Sequence, residues 1–252
     1  MLKEFKKKYF SKYLEEIWDL KEKLRVFEEK TKTLNFDFLK INSSVFSSKI
    51  EWNSLDLNSF SNLDFNKKTN KEKKEIDDLI LAYDFAYANN LSEKNFLKAH
   101  KIATKSFLIE ANSWKYRREK VWVFSKNWLV YMALEPEKVN QEMKKFFSEI
   151  KDLLNEELSI EEIFFYSSFI HLRLAHIHPF FDWNWRMARL IEKWFLAQKL
   201  SKDFWKIQSE EYYFKNRELY YKNINLWVNF YELDYSKSIN FLKMLVDSLS
   251  YV

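Results

Sequence analysis

Apolar residues recur at helical spacing along most of the chain. Phe10, Tyr13, Leu14, Ile17, Leu20 and Leu24 follow three- and four-residue steps among lysines and glutamates. That pattern predicts an N-terminal helical segment over 1–35. A second apolar pattern covers 35–50, and the Asn- and Ser-rich stretch 53–70 predicts a loop. Helices are expected at 71–89 and 92–109, the latter opening on Ser92 as N-cap. The texture changes at 121–132, where β-branched and aromatic residues flank Ser125-Lys126-Asn127. This reads as a short β-hairpin. Pro136 opens a helix to 155. Another helix, 159–177, runs into His178-Pro179, where the proline ring and its missing N–H end it. Further helices are expected at 185–200, 208–224 and 234–250. The fold class is all-α with one hairpin. With no repeat, low-complexity tract or linker, the chain reads as a single compact unit.

Composition bounds the function. Hydrophobic residues make up 47% and aromatics 19% of the 252 positions, enough for a sizeable core. No apolar run approaches the roughly 20 residues that cross a bilayer, so no membrane partner is expected. The N-terminus lacks the apolar stretch of a signal peptide, and a cytoplasmic location is expected. The absence of cysteine excludes disulfides and thiolate metal sites. The net charge of +5 is lysine spread among glutamates, the pattern of solvated helix faces, and no nucleic-acid partner is expected. One count is abnormal. The chain has no glycine, where average usage predicts about 18, and it has ten tryptophans.

The chemistry concentrates in His178-Pro179-Phe180-Phe181-Asp182-Trp183-Asn184-Trp185-Arg186-Met187-Ala188-Arg189. This segment breaks two helices. A helix starting near 184 would offer backbone N–H donors and the positive end of its dipole to an anion. Arg186 and Arg189 lie one turn apart on one face. Asp182 is a hard oxygen ligand suited to Mg²⁺ on a polyphosphate, and His178 can remove a proton from a hydroxyl. These residue types point to phosphoryl or nucleotidyl transfer.

The segment resembles the Fic motif, His-x-Phe-x-(Asp/Glu)-Gly-Asn-Gly-Arg-x-x-Arg. His178, Phe180, Asp182, Asn184, Arg186 and Arg189 match in order and spacing, and the two departures are tryptophan for glycine at Trp183 and Trp185. The resemblance implies a Fic-fold helical bundle over 36–252 with a β-hairpin flap. It implies a protein adenylyltransferase that moves AMP from ATP to a Ser, Thr or Tyr hydroxyl of a target protein. His178 is then the general base and Asp182 the Mg²⁺ ligand. Phe180 anchors the loop. Asn184 and the backbone at 183–185 hold the α-phosphate, and Arg186 and Arg189 hold the β- and γ-phosphates. Transfer of UMP, phosphate or phosphocholine is the alternative within enzymes. An inactive protein-binding module is the alternative outside them.

Weaker echoes extend the resemblance. Ser47-Ser48-Lys49-Ile50-Glu51-Trp52-Asn53 is similar to the family's N-terminal inhibitory helix, (Ser/Thr)-x-x-x-Glu-(Gly/Asn), placed at about 36–52. The resemblance implies that Glu51, with Ser47, pairs with Arg189 and displaces the γ-phosphate. The hairpin corresponds to the flap that docks the target segment, with Val121, Val123, Leu129 and Val130 as docking residues. Tyr221 lies where relatives close the adenine pocket. Ser113-Trp114-Lys115-Tyr116-Arg117 resembles a Gly-x-aromatic-Arg turn, although the basic run 116–120 alone reads as surface. Relatives often dimerise, so a homodimer is possible. His171 and His176 read as packing or supporting residues rather than metal ligands.

Trp52, Trp183 and Trp185 all occupy family glycine positions. Trp114, Trp122, Trp128 and Trp227 lie where glycine is easily accommodated, Trp194 and Trp205 read as core, and Trp18 is ambiguous. A UGA codon that means glycine in the source, rendered here as tryptophan, accounts for both the missing glycine and the misplaced indoles. The Lys-, Asn-, Phe- and Ile-rich composition fits an AT-rich genome. A polypeptide that literally carries Trp183 and Trp185 is expected to be inactive.

Overall fold

The computed structural model describes residues 1–61, 67–109, 112–125 and 128–251. It is an all-α bundle with one two-stranded antiparallel hairpin. At its centre lie α8 (Ile160–Ile177) and α9 (Asn184–Lys199). Every residue from Ile163 to Ile177 is buried, and so is every residue from Arg186 to Ala197. Both helices are buried on every side, α9 with the charged Arg186, Arg189, Glu192 and Lys193 among its buried residues, and the loop joining these two carries the motif. A capping box fixes the start of α8: Ser159 Oγ accepts the Glu162 N–H, and the Glu162 carboxylate accepts the Ser159 N–H at 2.7 Å.

The remaining elements wrap this pair. They are α1 (Leu2–Glu16), α2 (Leu20–Thr31), α3 (Phe36–Ile50), α4 (Leu57–Ser61), α5 (Lys67–Ala88), α6 (Glu93–Ala103), α7 (Pro136–Asn155), α10 (Ser209–Lys215), α11 (Arg217–Ile224) and α12 (Ile239–Asp247). The N-terminal segment joins the same core: Phe5 stacks on Phe169 of α8 with centroids 3.6 Å apart.

Four expectations change. The helix expected at 208–224 is two, Ser209–Lys215 and Arg217–Ile224, parted at Asn216. The segment 1–35 is two helices, broken at 17–19, and the turn brings Leu20, Leu24 and Phe27 into the core. The stretch 53–70 is not all loop. Leu57–Ser61 is helical and α5 begins at Lys67, because Leu55, Leu57 and Phe60 pack with Val45, Ile76 and Ile80 in a second small cluster. Helix α6 stops at Ala103, short of 109, where the Thr104 hydroxyl bonds the His100 carbonyl at 2.7 Å and meets Ser113 Oγ at 3.2 Å.

The hairpin pairs β1 (Trp122–Ser125) with β2 (Trp128–Met132), with an irregularity between Val123 and Phe124. Lys126 and Asn127 of the expected turn lie outside the described residues, as do the side chains of Leu129 and Val130. Tyr131 ties the hairpin to α8 by donating its hydroxyl to the His176 carbonyl at 2.6 Å. Among the described residues, no helix is long and apolar enough to cross a membrane.

Candidate active site

The α8–α9 junction is held by polar side chains acting on backbone. Asn184 Oδ1 accepts the Phe180 N–H at 2.8 Å, and its Nδ2 donates to the Phe180 carbonyl at 2.9 Å. The Asn184 side chain therefore closes the loop. Phe180 is fully buried and stacks on His100 at 3.7 Å. His100 Nε2 faces the Asp182 carbonyl at 3.3 Å, and its Nδ1 accepts the Trp114 N–H at 3.2 Å. That pair of partners fits the neutral Nε2–H tautomer. Burial drives the His100 pKa down to about 4. Arg117 is buried, contrary to the surface reading of 116–120. Its guanidinium donates to the carbonyls of His178 at 2.7 Å, Glu119 at 2.8 Å and Ile177 at 3.4 Å, and to that of Leu134.

His178 ends α8 in the left-handed region, φ 52°, which turns its imidazole out of the helix line. It is buried, and its Nδ1 lies 3.3 Å from the Ala175 carbonyl. Burial lowers its pKa to about 4, opposed by the contact to Ala175. At neutral pH the ring is uncharged, the form a general base needs. Asp182 is exposed, and Oδ1 accepts the Trp183 N–H at 2.6 Å.

Both motif arginines are held by carboxylates. Arg189 is completely buried. Its Nε donates to Ser47 Oγ at 2.9 Å, and its terminal nitrogens reach the Ser47 carbonyl at 2.9 Å, Glu51 at 2.9 Å and the Tyr220 hydroxyl at 3.3 Å. Burial works against its charge, but Tyr220 and Glu51 outweigh it and raise the pKa. Arg186 pairs with Glu75 of α5, which also accepts from Asn53 Nδ2 at 3.2 Å. Its guanidinium lies 4.5 Å from the Trp183 ring. Tyr221 donates to the Ile50 carbonyl at 3.0 Å, clasping the end of α3. Ser43, Ser44, Ser47 and Ser48 of α3 are all buried, so that helix docks through small polar residues as well as through Leu39, Val45 and Ile50.

The structure thus gathers His178, Trp183, Asn184, Trp185, Arg186, Arg189, Ser47, Glu51 and Tyr221 around one junction, with Asp182 on its exposed edge. Val121 and Val123 are half-buried at and beside β1. Sequence reasoning missed Glu75, one acid in a run of charged residues. It also passed over Tyr220, whose hydroxyl bridges Arg189 and His171 Nε2 (3.0 Å from the latter), while His171 Nδ1 lies 2.8 Å from Glu192. A buried ion pair held by a tyrosine leaves no local sequence signal. Among the described residues, no three His, Cys, Asp or Glu side chains form a metal cluster. Asp182 alone fits an ion bound by one carboxylate together with substrate phosphates, the usual manner of Mg²⁺.

Among the described residues, four non-glycine positions have positive φ: Trp52 (71°), Trp114 (55°), His178 (52°) and Trp183 (72°). Trp185 is helical, and its ring lies 6.1 Å from His178 and 6.1 Å from Tyr221.

Comparison with known proteins agrees with this geometry. Residues 90–196 match the Fic/DOC family model, and the chain carries a Fic/DOC domain. No curated protein matches it in sequence. In fold it is similar to a Fic family protein from Desulfovibrio desulfuricans G20, with TM-score 0.77 and 18% identity over 95% of this chain and 72% of that one. A Fic domain containing signaling protein from Bacteroides thetaiotaomicron VPI-5482 gives TM-score 0.66 and 15% identity over 92% of this chain and 95% of that one. Fic-1 from C. elegans gives 0.66 and 16% over 92% and 69%.

Proposed function

We propose that this protein is an adenylyltransferase that moves AMP from ATP to a hydroxyl of a protein target and is restrained by Glu51. One observation carries the reading. A neutral, buried imidazole at a helix junction shares its site with two arginines one helical turn apart, the second held by a carboxylate from α3. His178 takes the proton of a Ser, Thr or Tyr hydroxyl as its oxygen attacks the α-phosphorus, and pyrophosphate leaves. Arg186 and Arg189 hold the negative tail of the nucleotide once freed from Glu75 and Glu51. Asp182 would hold Mg²⁺, which supplies charge neutralisation on the phosphates when bound. The hairpin offers an edge for an extended target segment.

On this reading Glu51 and a γ-phosphate compete for the same guanidinium, and the Glu51–Arg189 contact at 2.9 Å supports it. The test is label transfer in a variant freed of that restraint and of the indoles at 183 and 185. Incorporation from α-phosphate-labelled ATP, with none from γ-labelled ATP, supports AMP transfer. Incorporation from the γ label alone replaces it with phosphorylation. Incorporation from neither favours an inactive binding module.

A further inference from the structure

We infer that a buried side-chain relay, Glu192–His171–Tyr220, fixes the Arg189 guanidinium from the side opposite α3 and keeps it in place for a distal phosphate once Glu51 withdraws. All three are positioning residues. Their service to the phosphate rests on the adenylyl-transfer reading; the direction of the relay does not.

Donor and acceptor chemistry sets that direction, worked outward from the arginine. A guanidinium has only donors. Arg189 Nη1 therefore donates to the Tyr220 hydroxyl oxygen at 3.3 Å. The hydroxyl keeps one proton of its own, and His171 Nε2 stands 3.0 Å away to accept it. An imidazole nitrogen accepts only when it carries no hydrogen, so the ring proton sits on Nδ1. Nδ1 then donates to Glu192 Oε2 at 2.8 Å. Tyr213 donates a further hydrogen bond to Glu192, 2.9 Å from Oε1. A His171 protonated at both nitrogens would aim a donor at the Tyr220 oxygen and leave the Tyr220 O–H without its acceptor.

The relay is sealed from water. Arg189, His171, Glu192, Tyr213 and Tyr220 are all fully buried. A carboxylate in such a place is costly unless it is hydrogen-bonded and its charge is compensated. Glu192 lies one turn beyond Arg189 on α9, so the relay leaves and rejoins the same helix through His171 of α8 and Tyr220 of α11. Three helices thereby fix one guanidinium.

The other partners of Arg189 show what the relay is for. Among the described residues they are Ser47 Oγ, the Ser47 carbonyl and Glu51, all from α3 and its C-cap. Tyr220 is the partner from elsewhere in the fold. When Glu51 gives way, the Tyr220 bond and the buried charge of Glu192 remain. An arginine already fixed gives up less side-chain freedom on meeting a phosphate than a loose one.

A second buried network along α9 supplies the control. Lys193 donates to Glu210 at 2.6 Å and to Ser43 Oγ at 2.8 Å, and Tyr83 donates to Glu210 at 2.5 Å. These bonds reach no side chain of the motif. Tyr83→Phe and Tyr220→Phe each remove one buried hydroxyl and keep the ring, but only the second releases Arg189.

NMR of the full chain tests the relay without any nucleotide. Among the four histidines, imidazole ¹⁵N shifts near neutral pH should show His171 as the Nδ1–H tautomer. An Nε2–H or doubly protonated ring overturns the relay. In Glu51→Gly, rotation about the Arg189 Cζ–Nη1 bond should be about tenfold faster once Tyr220→Phe is added, and equal rates overturn the hold on the guanidinium. Nucleotide titration then tests its use, in the variant freed of Glu51 and of the indoles at 183 and 185. Adding Tyr220→Phe or His171→Gln should weaken ATP with Mg²⁺ about tenfold and leave AMP nearly unchanged, while Tyr83→Phe alters neither. Equal losses for ATP and AMP, or the same loss in Tyr83→Phe, reduce the relay to packing and overturn the positioning role. Failure of that parent variant to bind ATP or take up label sinks the adenylyl-transfer reading instead, and the two NMR results still decide the relay.

Discussion

Position 52 isolates the backbone cost of a left-handed tryptophan. Trp52→Gly and Trp52→Ala remove the same indole, which is 74% exposed, so neither loses much buried surface. Both lose the Arg217 guanidinium stacked 4.0 Å from the ring, worth about 0.5–1 kcal/mol at an exposed site. Only glycine removes the Cβ penalty of φ 71°, about 1–2 kcal/mol. Trp52→Ala should therefore lose about 0.5–1 kcal/mol, and Trp52→Gly should come out level or gain up to about 1.5 kcal/mol. The difference between the two variants corresponds to about 2–8 °C in Tm for a chain of this size. Thermal unfolding of both, with Lys145→Gly and Lys145→Ala on the exposed face of α7 as the control, checks it. At Lys145 the order should reverse, alanine being better by about 1 kcal/mol. If alanine equals or exceeds glycine at 52, the left-handed cost is not what marks these positions.

The other predictions concern the site and its histidines. In a protein with glycine at 183 and 185, His178→Ala should cut AMP transfer by about 10²–10⁴-fold while ATP affinity, read by titration, stays within a factor of a few. Glu75→Gln should free Arg186 and lower the KM for ATP with kcat little changed, and unchanged steady-state constants would make that pair purely structural. Burial lowers His100 and His178 to about 4 and His176 to about 3, from 6.5. Between these values the unfolded chain binds more protons than the folded one, so stability is full above pH 6.5 and falls as pH drops toward 4. For each histidine, every tenfold difference in proton affinity between the folded and unfolded chain is worth about 1.4 kcal/mol, and urea midpoints measured from pH 7.5 to 4.5 should decline accordingly.

Much of this is legible in sequence because the signals are local. Helical periodicity locates α3, α7, α8 and α9, Pro179 marks the junction, and the spacing of His178, Arg186 and Arg189 marks the candidate site. Glu51 is readable from its heptapeptide. The missing parts depend on contacts between distant segments. Glu75 reaches Arg186 from 111 residues away, and Arg117 works through carbonyls that only the folded loop presents. The break between α1 and α2 has no proline or glycine to announce it. The bonds of Asn184 to Phe180 also escape the sequence, because they form only once the loop has closed.

If Glu51 stands where a terminal phosphate would stand, nucleotide titration reads that competition directly. With glycine at 183 and 185, removing the acid by Glu51→Gly should tighten ATP at least tenfold and leave AMP, which lacks the distal phosphates, nearly unchanged. Equal gains for both nucleotides, or no gain for either, would contradict it.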